Sequence, residues 1–145
     1  MITKHGDYEV DDDPERIDVD AAWAFLGEHA YWGRWRTRYD FAQQVRGSWR
    51  VVAAYRDNAM VGFARALSDG LALAYLADVY VHPDDRGHGL GVALVQMMIE
   101  DGPGAEFRWM LHTSDAHGLY ARFGFAEPTA SFMERQAGES RRAVG

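Results

Sequence analysis

An apolar run, LALAYLADVYV, gives way to HPDDRGHGLG and then to VALVQMMIE. Gly87, Gly89 and Gly91 therefore alternate with His88 and Leu90 between a strand-like and a helix-like segment. Ordered glycine costs more conformational entropy than any other residue, so three this close point to unusual dihedrals or a close backbone approach. A strand that runs through such a loop into a helix gathers free backbone N–H groups and the positive end of the helix dipole at one place. A phosphate-bearing ligand suits that place.

The pattern on either side sets the architecture. DYEVDDD reads as a short edge strand that Asp13-Pro14 breaks. Asp18 or Asp20 caps a helix with apolar-face positions Ala22, Phe25, Leu26 and His29, and a second helix runs from about Thr37 to Val45. WRVVAAYR, MVGFARAL and LALAYLADVYV, separated by the turns DNA and SDG, form an antiparallel meander. After the glycines, Leu90, Leu94, Met97 and Met98 share one helical face until EDGPG ends it. FRWMLHT is the next strand, and strand–helix–strand at this length is a crossover, so it lies parallel to LADVYV. DAHGLYARFGF reads as a short helix closed by Gly124, and ASFMER as a last strand. The fold class is α+β, with a mixed, mostly antiparallel sheet and helices on both faces. A chain of 145 residues with 48% hydrophobic residues forms one domain, residues 1–145, around one core.

Three phosphate loops compete for the glycines. The nucleoside-triphosphate loop needs Gly-Lys-Ser or Gly-Lys-Thr, and the single lysine is Lys4. The dinucleotide fingerprint wants a small third residue where Val92 stands, and parallel units where a meander precedes. The third, Arg/Gln-x-x-Gly-x-Gly/Ala after a strand, is the pyrophosphate loop of acyl-coenzyme A transferases, and Arg86, Gly89 and Gly91 match it. VYVHPDDRGHGLGVALV resembles the central motif of the GNAT acyltransferase superfamily, and GLYARFGF resembles its later Leu-Tyr-x-Lys/Arg-x-Gly-Phe motif. The two stand in the family's order, and the resemblance covers about residues 5–135. DAHGLY also resembles a small subgroup of bacterial and archaeal members.

The resemblance implies a sheet splayed between its fourth and fifth strands, with acetyl-CoA as acyl donor and its pantetheine arm in the gap. It implies a cofactor site built from backbone at Val79, Tyr80 and Val81, from the loop Arg86, Gly87, His88, Gly89, Leu90 and Gly91, and from Ala116 and Tyr120. Side chains on the loop glycines would hold the phosphates away, and an N–H near Val79 would stabilise the oxyanion of the intermediate. By position Tyr120 is the acid that protonates the leaving thiolate, a match because phenols and alkyl thiols have similar pKa values. Asp78 stands where many members place a base, with strand packing by backbone or arginine as the competing use; His112 and His117 are further candidates. Where many members carry Asn before the tyrosine, this chain has Thr113. The acceptor site falls at YWGRWRTRYD, where Tyr31, Trp32 and Trp35 would wall a pocket and Arg36 or Arg38 hold a carboxylate; aromatic core under a solvated arginine face is the alternative.

Composition removes other classes. A net charge of −7 with no basic stripe argues against nucleic acid, and no apolar run is long enough to span a membrane. No His, Asp or Glu spacing suggests a metal site. The absence of cysteine excludes a thioester on the enzyme, so an amine attacks acetyl-CoA directly in a ternary complex. The expected activity is acetyl transfer to a primary amine, in the first place a small molecule. A protein lysine, or a non-catalytic acyl-CoA sensor, are the alternatives. The N-terminus has no apolar signal segment, which predicts a cytoplasmic protein. An uncovered edge strand and the position of ASFMER predict a homodimer.

Overall fold

Asp57 and Asn58, at the centre of the DNA turn, both adopt positive φ, 50° and 67°. A two-residue hairpin needs that twist, and Asp and Asn tolerate it better than most residues. They close β3 (Arg50–Arg56) onto β4 (Ala59–Ser68), with Arg56 opposite Ala59. The computed structural model describes residues 1–29 and 36–138, and in it β4 pairs in turn with β5 (Leu73–Val81), completing the expected meander.

Chain continues from β5 through the glycine loop into α3 (Leu90–Val95), which runs on as a π-helical turn over Gln96–Glu100. It returns as β6 (Arg108–Met110), parallel to β5, with Leu73 opposite Arg108 and Tyr75 opposite Met110. A short α4 (His117–Ala121) follows and ends before Gly124, whose φ is +85°. The fold is therefore the mixed α+β sheet the pattern predicts.

At the N-terminus the structure adds a strand. β1 (Ile2–His5) turns at Gly6 onto β2 (Tyr8–Asp11), and β2 pairs with β3. The sheet order is β1-β2-β3-β4-β5-β6, with only the β5–β6 pair parallel. DYEVDDD is thus not an uncovered edge. β1 is exposed along most of its length, so its residues carry no apolar alternation by which to see it.

Helices α1 (Val19–His29) and α2 (Arg38–Arg46) cover one face. Thr37 caps α2 by accepting from the Asp40 N–H while Asp40 accepts from the Thr37 N–H, a reciprocal pair that fixes the helix start. Beneath them Ala22, Leu26, Phe41, Val51 and Phe63 form one core. On the other face Val52, Ala64, Leu76, Leu90, Leu94 and Met98 form the second.

The expected last strand is absent. Residues 130–138 are irregular and exposed, with Met133 at 92%. Beyond Met110 the chain leaves β5, so β6 is too short to template another strand. Among the described residues no helix is long and apolar enough to cross a membrane.

Burial raises the phenol of Tyr55 to about 12 and that of Tyr120 to about 12, from an ordinary value of 10.0. The stability this represents is complete below pH 10 and is lost as pH rises through the folded values, because only the unfolded chain ionises there. Denaturant unfolding should therefore show a constant contribution up to about pH 10 and a progressive loss towards pH 12. A spectrophotometric phenolate titration should place these two tyrosines in its last-ionising fraction.

Candidate active site

Leu76 and Tyr80 should lie on the same face of β5, yet Leu76 packs under α3 and Tyr80 under α1 and α2. A bulge accounts for the switch. Tyr80 pairs with Phe63 and Ala77 with Arg65, so Asp78 and Val79 together oppose Ala64 alone. Asp78 has φ +54°, a strained value for a residue with a side chain. Such strain persists only where the surroundings hold it in place.

Two arginines hold it. Arg36 donates from Nη1 to Asp78 Oδ2 at 2.9 Å and from Nη2 to Oδ1 at 3.0 Å, and Arg65 donates from Nε to Oδ2 at 2.7 Å. The three side chains are 4%, 5% and 8% exposed for Arg36, Asp78 and Arg65. Arg36 also donates to Gln44 Oε1 at 2.9 Å, which ties the cluster to α2. Burial by itself would raise the Asp78 carboxyl, but the Arg36 hydrogen bond and the Arg65 charge outweigh it and hold the group below its ordinary range.

This gives two expected site residues a different use. A carboxylate already engaged by two guanidinium groups, and made less basic by them, is poorly suited to take a proton from an ammonium ion. Asp78 anchors the bulge instead. Arg36 does hold a carboxylate, but it is that of Asp78 rather than a ligand's. Arg38 is paired with Asp20 on the surface at 2.6 Å. Tyr31, Trp32 and Trp35 lie outside the described residues.

The glycine loop is anchored from beneath. Asp85 is 2% exposed; Tyr8 Oη donates to it at 3.0 Å and Arg56 Nη1 pairs with it at 2.9 Å. Arg86 donates from Nε to the Val81 carbonyl at 3.1 Å, so it pins the loop to the end of β5. Gly87 and Gly89 have φ of +85° and +77°, and Gly89 is the N-cap of α3. The first intrahelical bond runs from Ala93 N–H to Gly89 C=O at 3.1 Å, so the N–H groups of Leu90, Gly91 and Val92 precede the helical ladder. His5 Nε2 lies 2.6 Å from the His88 carbonyl, which turns that carbonyl towards the β1–β2 hairpin. The trans peptide then directs the Gly89 N–H the other way.

The three glycines are needed for two different reasons. Within the protein a Cβ at Gly87 would meet open space and one at Gly89 would meet His5 at 3.4 Å, so it is their positive φ that favours glycine. A Cβ at Gly91 would sit 3.0 Å from Leu119 Cδ1. There glycine also permits the close packing of α3 on α4.

That contact brings the two motifs together. Tyr120 follows Leu119, is 8% exposed, and stands edge-on to Phe125 at 5.8 Å. Burial, and then the charge of Asp115, raise its phenol to about 12, so it is a weaker acid than an unperturbed phenol. Ala116 is the N-cap of α4, and its N–H is held by Thr113 Oγ1 at 3.0 Å. The family asparagine position is thus used here to hold the turn that enters α4.

Beyond Tyr75 opposite Met110, β5 and β6 no longer pair, so a gap opens along Leu76–Val81 on that edge. Val79 and Val81 put their side chains against the α3 core, leaving their main chain at the strand edge. His112 lies at the closed end of this gap, bonded to Tyr75 and Glu134; His117 is exposed on the first turn of α4. The sequence reading missed His5, Arg65, Tyr75, Asp85 and Glu134. Arg65 carried a signal, since a charge inside the apolar strand MVGFARAL needs an opposite charge on a neighbouring strand, and Asp78 is one. Among the described residues no group of three or more His, Cys, Asp or Glu is arranged to hold a metal ion.

Comparison with known proteins agrees with this geometry. The profile of the acetyltransferase (GNAT) domain family matches residues 47–127. A protein of Gibberella zeae named as an acetyltransferase is 28% identical over 137 residues, which cover 81% of this chain and 77% of the relative. The crystal structure of a GNAT-family protein from Xanthomonas campestris superposes with a TM-score of 0.83 at 33% identity, over 90% of this chain and 93% of the other. An acetyltransferase-like structure from Deinococcus radiodurans shares the fold, with a TM-score of 0.67 at 22% identity over 92% of each chain.

Asp78→Asn should destabilise the protein by about 3–5 kcal/mol, because it leaves two buried guanidinium groups short of a counter-charge. In the wild type this contribution is present above about pH 4 and is lost as pH falls through the lower, folded-state value. Denaturant unfolding at pH 7 measures the first effect. Repeating it towards pH 3 should narrow the difference between wild type and variant.

Proposed function

We propose, from the premise that this chain belongs to the GNAT acetyltransferase family and is an acyltransferase, that it moves an acetyl group from acetyl-CoA to a primary amine of a small acceptor. The observation that carries this reading is the union of the glycine loop with the Tyr120 helix through the Gly91–Leu119 contact. A diphosphate fits the loop on chemical grounds. The Gly89 N–H turned away from His5, the early N–H groups of α3 and the adjacent Arg86 guanidinium all favour negative charge. The free edge of β5 beyond the bulge offers main-chain partners to an amide-bearing arm, in the manner of an added strand.

In this reading acetyl-CoA supplies the activated acyl carbon. The loop fixes the phosphate end, so the thioester is held at the gap between β5 and β6. A main-chain N–H at or near Val79, freed from regular pairing by the bulge, polarises the thioester carbonyl. Tyr120 stays protonated at any working pH and gives its proton to sulfur as negative charge develops there. With no cysteine in the chain, the amine attacks directly and no acyl thioester forms on the enzyme. Asp78 is left to hold the bulge from the opposite face.

Coenzyme A should raise the melting temperature by mass action. Gly89→Val, which forces a β-branched residue into φ +77°, should remove that shift while the unliganded fold survives. Absence of a shift in the wild type at millimolar coenzyme A overturns the reading.

Tyr120→Phe should keep the coenzyme A shift, because the ring still packs on Phe125. Thiol release from acetyl-CoA, followed across a panel of primary amines, should fall roughly 10²–10⁴-fold in kcat with little change in KM. Near-full kcat in the variant would make water the proton donor.

A further inference from the structure

Tyr75, His112 and Glu134 belong to three separate parts of the chain and meet at one point. Tyr75 Oη lies 2.5 Å from His112 Nδ1, and His112 Nε2 is bonded to Glu134 Oε2. Tyr75 belongs to the last residue pair that joins β5 to β6, and His112 follows just after the strands part. The trio therefore closes the inner end of the gap, while the glycine loop stands at its outer end. Tyr75 to Val81 spans roughly 20 Å of extended strand, so an arm that starts at the loop brings its thioester to Val79, and an acceptor enters between that point and Tyr75.

The hydrogen bonds fix the protons. An ionised carboxylate only accepts, so Glu134 requires Nε2 of His112 to carry the hydrogen. In a neutral ring Nδ1 then has its lone pair free, and the Tyr75 hydroxyl donates to it. Tyr75 Oη keeps its own lone pairs for a third group. His112 and Glu134 are 41% and 34% exposed, so an acceptor can reach this end of the gap.

Building on the acetyl-transfer reading, we propose that Tyr75, His112 and Glu134 form a relay that removes the proton from the acceptor ammonium. The nitrogen gives a proton to Tyr75 Oη as Tyr75 passes its own to His112 Nδ1. His112 becomes imidazolium, its Nε2–H stays on Glu134, and the carboxylate offsets the new charge. The neutral amine then forms the C–N bond as the C–S bond breaks, the sulfur takes its proton from Tyr120, and the acylated nitrogen gives its second proton through water to the Tyr120 phenolate. The imidazolium loses its proton to water, which balances the cycle. Burial, then the Glu134 charge, raise the Tyr75 phenol, so it conducts protons without ionising itself. The other charges acting on Tyr75 are Arg65 of β4 and Asp78 of β5. The same site thus lacks nothing when Asp78 is committed to the bulge.

The test uses the full chain, acetyl-CoA, and two kinds of acceptor: hydroxylamine, uncharged at neutral pH, and the alkylamines benzylamine, ethanolamine and spermidine, all protonated there. Wild-type hydroxamate formation tests acetyl transfer independently of the relay. His112→Ala and Tyr75→Phe should lower alkylamine turnover at pH 7 by roughly 10²-fold or more. The deficit should shrink as pH rises towards the amine's own pKa, while hydroxylamine turnover and the coenzyme A melting shift are largely kept. Glu134→Gln should act in the same direction but less. Equal losses for both kinds of acceptor, or an unchanged pH–rate profile in His112→Ala, overturn the relay and leave acetyl transfer standing. Independently of turnover, ¹⁵N NMR of the His112 ring should show the Nε2–H tautomer in the wild type; an Nδ1–H tautomer overturns the relay even if no alkylamine reacts. If wild type acetylates neither kind of acceptor, both readings fall.

Discussion

The buried contact of Asp78 with Arg36 and Arg65 governs the rest of the molecule. Taking charges out of water costs several kcal/mol per ion, so the cluster exists only because three guanidinium N–H groups meet two carboxylate oxygens in good geometry. It binds the segment entering α2 to the centre of the sheet. It also stabilises the positive φ that makes the β5 bulge. Without the bulge Leu76 and Tyr80 would share a face, and one of the two cores would lose its wall.

From the bulge the site follows in two directions. Downstream, β5 runs into a loop whose foundation is another buried carboxylate, Asp85, fixed by Tyr8 from β2 and Arg56 from β3. Across the sheet edge, β6 departs after only three paired residues and leaves the β5 main chain open. A sheet that stayed regular to its end would satisfy every backbone group and leave no place for a ligand arm. Irregularity at Asp78 and separation after Tyr75 are therefore the same kind of device, each withholding main-chain groups from the ladder.

Local features were legible in the sequence because their causes are local. Turn residues Asp57 and Asn58, the start of α2 near Thr37, the apolar face of α3 and the glycine loop each depend on neighbours a few positions away, and each appears where its pattern placed it. Apart from the parallel β5–β6 pairing that the crossover implied, long-range features were not legible. β1 is a polar strand whose pairing rests on main-chain bonds to β2, so its composition carried no signal. Asp78 stood at the right place in the strand, but whether a strand carboxylate acts as a base or as a counter-ion depends on what faces it, and Arg36 is far from it in sequence. The ASFMER segment has strand-like residues and no partner, which shows that propensity without an edge to join does not make a strand. His112 was visible as a candidate; its connection to Tyr75 and Glu134 required the fold.

The packing of Gly91 on Leu119 links the histories of the two motifs as well as their positions. Space at that crossing is shared, so a methyl group added on α3 has to be removed from α4. Alanine at position 91 should be acceptable in a relative whose residue at 119 is smaller than leucine, and unfavourable where leucine remains. Sequences of this family should thus show positions 91 and 119 varying together, one shrinking as the other grows. A chimera that takes the loop from one member and the tyrosine helix from another would misplace the tyrosine, although each half alone is intact.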